Sequence, residues 1–281
     1  MTGSDRDNAF DVAAAKLRCK KHRKRILDMT QYVTALHVGG AFSSTEIVDC
    51  IYYELMRKGS NGNPVGDDAP DTFLMSKGHG YMIQVMLLVD LGILTEEHLR
   101  GYCTPHGILG VHPDYGNPGI EASTGSLGHG MGMALGMAYA EKTRGTKGTI
   151  YTVMSDGEVQ EGSTWEATLM ASSLGVSNLV AFIDNNNMQS ATFTTDTHPS
   201  FYPVVEKYQA FGWEAVEVDG HDSEAIYNAV ANRAGDKPLL VNCKTTKGKG
   251  VSYMESVPMW HYRSPDPEEY KQAIREIEEA Q

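Results

Sequence analysis

Asp156, Glu158 and Glu161 stand close together in MSDGEVQEGSTWEA (154–167), just after TIYTV, a β-branched and aromatic run that reads as a strand. A second strand-like run, LVAFID (179–184), leads into Asn185, Asn186 and Asn187. The spacing from Asp156 to Asn186 suits one strand–helix–strand crossover. If the two strands are neighbours, a carboxylate and an amide carbonyl meet at one sheet edge, and both are hard oxygen donors of the kind Mg²⁺ or Ca²⁺ takes. The same residue types also cap helices and form turns, so spacing alone leaves both uses open. A divalent ion with one protein carboxylate needs anionic ligands, and Mg²⁺ often takes them from phosphates. The glycine-rich GSLGHGMG (125–132) can bring backbone N–H groups to a diphosphate, although it has neither the GxxxxGK[ST] order nor GxGxxG in the dinucleotide-binding position.

Ten histidines offer proton-transfer groups near neutral pH. His37, His79, His112 and His261 lie in loops flanked by Gly or Pro, where a structural role is equally open on the residues alone. His22 and His98 fall in polar helical stretches and are expected at the surface.

The elements that must position these groups alternate. Helices are expected over 11–35, 44–58 (capped by Ser44 or Thr45), 79–91, within HGMGMALGMAYAEKTRG (129–145), 163–174, 203–211, 223–233 and the C-terminal stretch from 265. Strands are expected at FLMS (73–76), TIYTVM, LVAFID, WEAVEVD and PLLVNCKT. This order predicts an α/β fold with a mostly parallel sheet covered by helices on both faces, and such sheets bind ligands beyond the carboxyl ends of their strands. The first helix begins with the basic KLRCKKHRKR, which reads as a solvated face, open to an acidic partner surface, in preference to a nucleic-acid-binding arm.

A formal charge of -12 argues against nucleic acid as a partner. Four scattered cysteines, a polar N-terminus without a signal-peptide core, and apolar runs too short to cross a bilayer point to a reducing cytoplasm and no membrane.

Taken together, these stretches resemble the thiamine-diphosphate-binding half of transketolase. The family's GDG…NN motif is matched by Ser155-Asp156-Gly157 and Asn185-Asn186. HVGGAFSS (37–44), SKGHG (76–80), HPD (112–114), GIEASTGSLGHG (119–130), FGWEAVEVDGHD (211–222) and KTTKGKGVSYME (244–255) follow in the family's order, from about residue 11 to 270. The resemblance implies a thiamine-diphosphate-binding fold. Residues 1–281 would form a single diphosphate-binding domain, with 1–10 a flexible tail and 101–128 a long active-site loop. It implies thiamine diphosphate and Mg²⁺ (Ca²⁺ also fits), the metal held by Asp156, Asn186 and the backbone carbonyl of Met188. His79, Gly125, Leu127, Gly128, Asp156, Gly157, Glu158, Asn186 and His261 would bind the cofactor. His37, His79, His112 and His261 would be catalytic, with Glu161 near a subunit interface.

The activity implied is transfer of a two-carbon ketol unit from a ketose, free or phosphorylated, to an aldose. The family's pyrimidine-binding domain has no counterpart here, so the chain is expected to be the N-terminal subunit of a split transketolase. It would be inactive without a C-terminal partner chain and would assemble as α₂β₂, with the GMGMALGMAYA helix and parts of the second and third helices buried between subunits. Departures fall around the cofactor and channel: Ser155 for Gly, His129 for Gln, Ser126 for Pro, and HYRSP (261–265) for HGKAP. They put the usual pentose phosphates in question more than the cofactor. Two other readings are an α subunit of another two-chain thiamine-diphosphate enzyme, of the 2-oxoacid decarboxylase or dehydrogenase type, and a non-catalytic scaffold subunit that keeps the fold.

Overall fold

A computed structural model describes residues 10–33, 36–66 and 68–280; residues 1–9 of the expected tail lie outside them. In chain order the helices and strands are α1 (Val12–Met29), α2 (Val38–Ser43), α3 (Thr45–Cys50), β1 (Thr72–Met75), α4 (Tyr81–Asp90), α5 (Glu96–Arg100), α6 (Gly130–Arg144), β2 (Ile150–Ser155), α7 (Gly162–Ser173), β3 (Leu179–Asn185), β4 (Met188–Gln189), β5 (Thr192–Phe193), α8 (Thr194–Thr197), α9 (Val204–Ala210), β6 (Glu214–Asp219), α10 (Ser223–Ala231), β7 (Leu239–Lys244) and α11 (Pro267–Glu279).

Five strands form one sheet in the order β1-β2-β3-β7-β6, every pair parallel. The period-two alternation of side chains explains its two cores. Phe73, Tyr151, Val153, Val180, Phe182, Leu239 and Val241 face one layer, with Leu27, Ile47 and Met86 from the helices. Leu74, Ile150, Met154, Leu179, Ala181, Ile183 and Leu240 face the other, with Met131, Ala134 and Ala171. Residues such as Phe182 and Ile183 are fully buried, each worth about 1.5–3 kcal/mol in area removed from water. Helix α6 lies tightly under the end of β1. A Cβ on Gly130 would come within 2.1–2.7 Å of Ser76, so only glycine allows the approach.

Several local expectations are corrected. Helix α1 starts as expected, with the Asp11 side chain accepting from the N–H of Ala14, but stops at Met29, where the Thr30 hydroxyl donates to the Leu27 carbonyl at 2.6 Å. Its basic residues meet acids of the same chain rather than a partner's. Arg18 pairs with Asp49 and Glu54, Arg23 with Glu46, Arg25 with Asp90 and Glu96, and Lys24 with Glu278. His22 is buried rather than at the surface, because it lies on the same α1 stripe as Ala15, Cys19 and Ile26. His98 is half-exposed and closes a capping box with Thr95.

The helix expected at 44–58 starts at Thr45, directly after the short α2. Chain turning starts at Val38, and Ser44 and Thr45 do not cap. Their hydroxyls donate back to the carbonyls of Gly40 and Ala41, the usual mid-helix habit of these residues. The coil ends at Leu55 after a π-helical turn, Ile51–Leu55. This helix and α4 are buried in the chain's own core, Ile47, Val48, Ile83 and Val85 being fully covered, so neither keeps an apolar face for another subunit.

Candidate active site

Register sets the site. Ser155 lies opposite Asp184, and Asn185 opposite Lys244, so the carboxyl ends of β2, β3 and β7 open at one edge. The segment after β1 joins them through the Lys77 N–H, which donates to the Val153 carbonyl at 3.1 Å. Between these ends lies a cavity of about 560 Å³. His37, His79, His112 and His261 line it, as do Gly125, Leu127, Gly157, Glu161, Asn186 and Met188. The irregular chain from Gly101 to His129 contributes His112, Gly125 and Leu127, and the β4–β5 hairpin contributes Met188 to Thr192.

Asp156 is fully buried just under this floor. Its Oδ1 accepts from the N–H of Gly157 at 2.8 Å, whereas its Oδ2 has no hydrogen-bond partner. Burial, reinforced by the charge of Asp184, pushes its carboxyl up to about 7. A buried carboxylate oxygen without a donor is costly, and a cation beside it removes that cost. Asn186 is held in place on both sides: its Nδ2 donates to Asp184 Oδ2 at 3.2 Å and its Oδ1 accepts from the N–H of Met188 at 3.1 Å. Among the described residues no three carboxylate, imidazole or thiol side chains gather as a metal site. A cation at Asp156 would therefore draw on the Asn186 amide, a backbone carbonyl and the oxygens of an anionic ligand. That donor set suits a hard divalent ion bound together with a diphosphate.

Three residues that the sequence reading did not single out form the charge balance beneath. Asp184 and Lys77 are a fully buried ion pair, in which the Lys77 ammonium also donates to the Gly40 carbonyl at 2.8 Å. Asp184 further accepts from the hydroxyls of Ser43, at 2.5 Å, and Thr245. Burial alone would raise Asp184, but the Lys77 charge and these hydroxyls hold it below the usual carboxylate range. Lys247 lies in the cavity wall with its ammonium 2.7 Å from His261 Nδ1. Burial, with Lys77 nearby, lowers Lys247 to about 8. The available signal was position: each lysine follows a strand whose carboxyl end abuts the acid-bearing strands, in SKGHG and KTTKGKG.

The histidines cluster. The His37 ring centre is 5.2 Å from that of His261, 5.7 Å from His79 and 6.2 Å from His112. Burial, then neighbouring His and Lys charges, lowers His37 to about 4, and burial with Lys247 lowers His261 to about 4. His79 is held well below its usual range by burial and Lys77. These three imidazoles are neutral at pH 7, able to accept a proton and to donate a hydrogen bond. His198 also lines the cavity, whereas His129 is exposed, its ring bonded to the Leu127 carbonyl at 3.2 Å.

Glu158 is not brought to the cavity. It is fully buried, pushed up to about 7 by burial, and bonded to Ser76 and to the backbone of Gly128. Gly128 is likewise behind the lining, where its peptide shapes the loop that carries Gly125 and Leu127.

The strand ends of this parallel sheet hold an orphaned carboxylate, an oriented amide, a glycine-rich loop and two buried lysines, donor types that suit a diphosphate accompanied by a divalent cation. The transketolase thiamine diphosphate binding domain matches residues 15–273. The chain is 36% identical over 277 residues to one subunit of the apulose-4-phosphate transketolase of Phocaeicola vulgatus, covering 96% of each chain. It is 36% identical over 259 residues to the 6-deoxy-6-sulfo-D-fructose transketolase subunit SqwG of a Clostridium species, covering 91% of this chain and 93% of that one. Its fold superposes on the crystal structure of Campylobacter jejuni transketolase with a TM-score of 0.86 at 26% identity, covering 96% of this chain but 43% of that one. The chain belongs to the transketolase family. It is a transketolase-type transferase subunit carrying the family's thiamine-diphosphate-binding domain.

Proposed function

We propose that residues 1–281 act as one diphosphate-binding domain. It would work with a second polypeptide that brings the pyrimidine-binding domain, and the pair would transfer a two-carbon ketol unit from a ketose or ketose phosphate to an aldose. The observation that carries the reading is the unpartnered, fully buried Oδ2 of Asp156 beside an oriented Asn186 and beneath a cavity lined by four histidines. Thiamine diphosphate supplies, when bound, a carbon that stabilises the transferred unit while its bond to the rest of the donor is broken.

The chain's own residues do the rest. Asp156, the Asn186 amide oxygen and the Met188 carbonyl hold Mg²⁺, with Ca²⁺ also compatible. Asn186 must then exchange or share its bond to the Met188 N–H. Gly125, Leu127 and Gly157 line the space for the diphosphate, and Lys247, His79 and His261 offer it positive charge and N–H donors. As the donor's C–C bond breaks, the hydroxyl on the departing carbon gives up a proton; the acceptor's aldehyde oxygen takes one as the new bond forms. The transfer is redox-neutral. His37, neutral at pH 7, and His112, across the cluster from it, are suited to carry those protons. Glu161, exposed at the cavity rim, is accessible to a second subunit.

An α₂β₂ assembly is supported by one apolar face. Tyr139 is 45% exposed, Leu169 52% and Met170 49%, on α6 and α7, and Gly132 and Gly136 have open space where a Cβ would stand. Self-association of this chain through that face would set two sites in one particle. The test is reconstitution. The chain, its partner, thiamine diphosphate and Mg²⁺ are mixed with a ketose donor and an aldehyde acceptor, and ketol transfer is followed. Activity is expected only from the pair. Turnover by this chain alone, or no transfer by a pair that has bound the cofactor, would contradict the proposal.

A further inference from the structure

The Gly128 peptide is gripped from both sides. Its N–H donates to Glu158 Oε1 at 3.0 Å, and its carbonyl accepts from the Ser163 hydroxyl at 2.8 Å. Glu158 Oε1 also accepts from the Ser76 hydroxyl at 2.5 Å, and its Oε2 accepts from the Ser155 N–H at 3.4 Å. In return, the Glu158 N–H donates to Ser155 Oγ at 3.1 Å. One fully buried carboxylate thus joins the segment after β1, the end of β2 and the glycine loop. Space at this point is minimal. Gly128 has φ +82°, and a Cβ there would lie 2.6 Å from Glu161 Cβ and 2.7 Å from Ser163 Oγ. The loop therefore presses on the start of α7 at Gly128, while its other end is tied separately, the Thr124 hydroxyl donating to the Met75 carbonyl at 2.7 Å.

From this geometry we propose that Glu158 is a positioning residue. With Ser163 it clamps the Gly128 peptide so that Gly125 and Leu127 are presented to the diphosphate, and it does not itself touch cofactor or metal. The proposal rests on the functional reading above for what the loop binds, but not for the clamp itself. A preorganised loop loses less freedom when its ligand arrives, so its affinity depends on the clamp even though the clamp makes no contact. Gly128 and Ser76 both use the one acceptor Oε1, which a glutamine side chain keeps, giving up only the long 3.4 Å bond from the Ser155 N–H to Oε2. A direct cation ligand or a charge-dependent role would not be served by glutamine.

Two readouts test this on the folded chain. The first is amide hydrogen exchange at Gly128, with Val153 and Ile183 in the central strands as controls. Glu158→Ala is expected to speed Gly128 exchange by about tenfold or more, the loss of one charge-assisted bond, with the strand amides unchanged. Glu158→Gln is expected to stay near wild type. The second is titration with thiamine diphosphate and Mg²⁺, where Glu158→Ala should weaken binding about tenfold and Glu158→Gln should rescue it. Unchanged Gly128 exchange in Glu158→Ala overturns the clamp. Glutamine failing as badly as alanine in the titration overturns the positioning role in favour of direct charge. Should Glu158→Ala not fold, Ser163→Ala removes the opposite half of the clamp, and no local rise in exchange there overturns the proposal. A wild-type chain that takes up no cofactor even together with its partner would sink the functional reading, and Gly128 exchange would still decide the clamp.

Discussion

Replacing Lys77 by methionine keeps most of the side chain's volume and removes its charge. Asp184 is then left fully buried with the hydroxyls of Ser43 and Thr245 and the amide of Asn186 as its side-chain donors among the described residues. Breaking a buried pair by deleting one partner costs about 3–5 kcal/mol, because the remaining charge has lost its compensation. For a chain of this size, each kcal/mol moves Tm by roughly 2–4 °C, so Lys77→Met should melt roughly 6–20 °C lower at neutral pH. The pH dependence identifies the cause. In the wild type the folded-state Asp184 titrates below its ordinary value of 3.8, so its contribution is present above that pH and is lost only as pH falls through the lower, folded value. In Lys77→Met, burial is opposed only by the remaining hydrogen bonds and no longer by a charge, which raises Asp184 relative to the wild type, so acidification neutralises it while the chain is still folded. The deficit should therefore shrink between pH 8 and pH 5. The assay is thermal or urea unfolding of both proteins across that range. A deficit under 1 kcal/mol, or one independent of pH, would refute the charge-balance account of the floor. Because Asp184 also orients Asn186, the variant should bind Mg²⁺ and cofactor more weakly at pH 8.

Lys247→Met should separate stability from function. Lys247 has a folded value of about 8 against an ordinary 10.5, so its ammonium destabilises the fold by about 3 kcal/mol below pH 8, and the penalty fades as pH rises from about 8 to 10.5. The variant should melt higher than wild type at pH 7 yet bind thiamine diphosphate at least about tenfold more weakly; a lower Tm with unchanged affinity would contradict this. His22 is buried with neither ring nitrogen bonded, and burial lowers it from 6.5 to about 4. The unfolded state takes up its proton first, so the chain should lose up to about 3 kcal/mol as pH falls from 6.5 to 4. His22→Leu should flatten that part of the stability profile, measured by urea unfolding, and an unchanged slope would assign the loss to His37, His79 and His261 instead.

What could be read from the sequence, and what could not, follows from the range of each signal. The strands IYTVMS and LVAFIDN announce themselves by β-branched and aromatic runs, and their parallel pairing follows from the helix between them. The meeting of Asp156 with Asn186 follows from that pairing. Lys77 and Asp184 were missed because a lysine after a strand looks solvated, and nothing local shows that another strand's acid lies against it. His22 was misplaced because its polar neighbours in KLRCKKHRKR mask a stripe that packs inward at a spacing of three or four. The basic helix was assigned an outside partner because its acids come from Asp49, Glu54, Asp90 and Glu278, far off in sequence. Glu158 reads as a ligand beside Asp156, but the 3₁₀ turn Glu158–Gln160 directs it down to Ser76 and Gly128 instead.

The central claim is that Asp156 anchors a divalent cation through which the diphosphate is held. Calorimetric titration of thiamine diphosphate, with and without Mg²⁺, into the wild-type chain together with its partner and into the same pair carrying Asp156→Ala tests it most directly. The account predicts uptake that requires Mg²⁺ and falls at least about a hundredfold in Asp156→Ala, with the variant's circular dichroism unchanged. Uptake that needs no metal, or that survives Asp156→Ala undiminished, would contradict it.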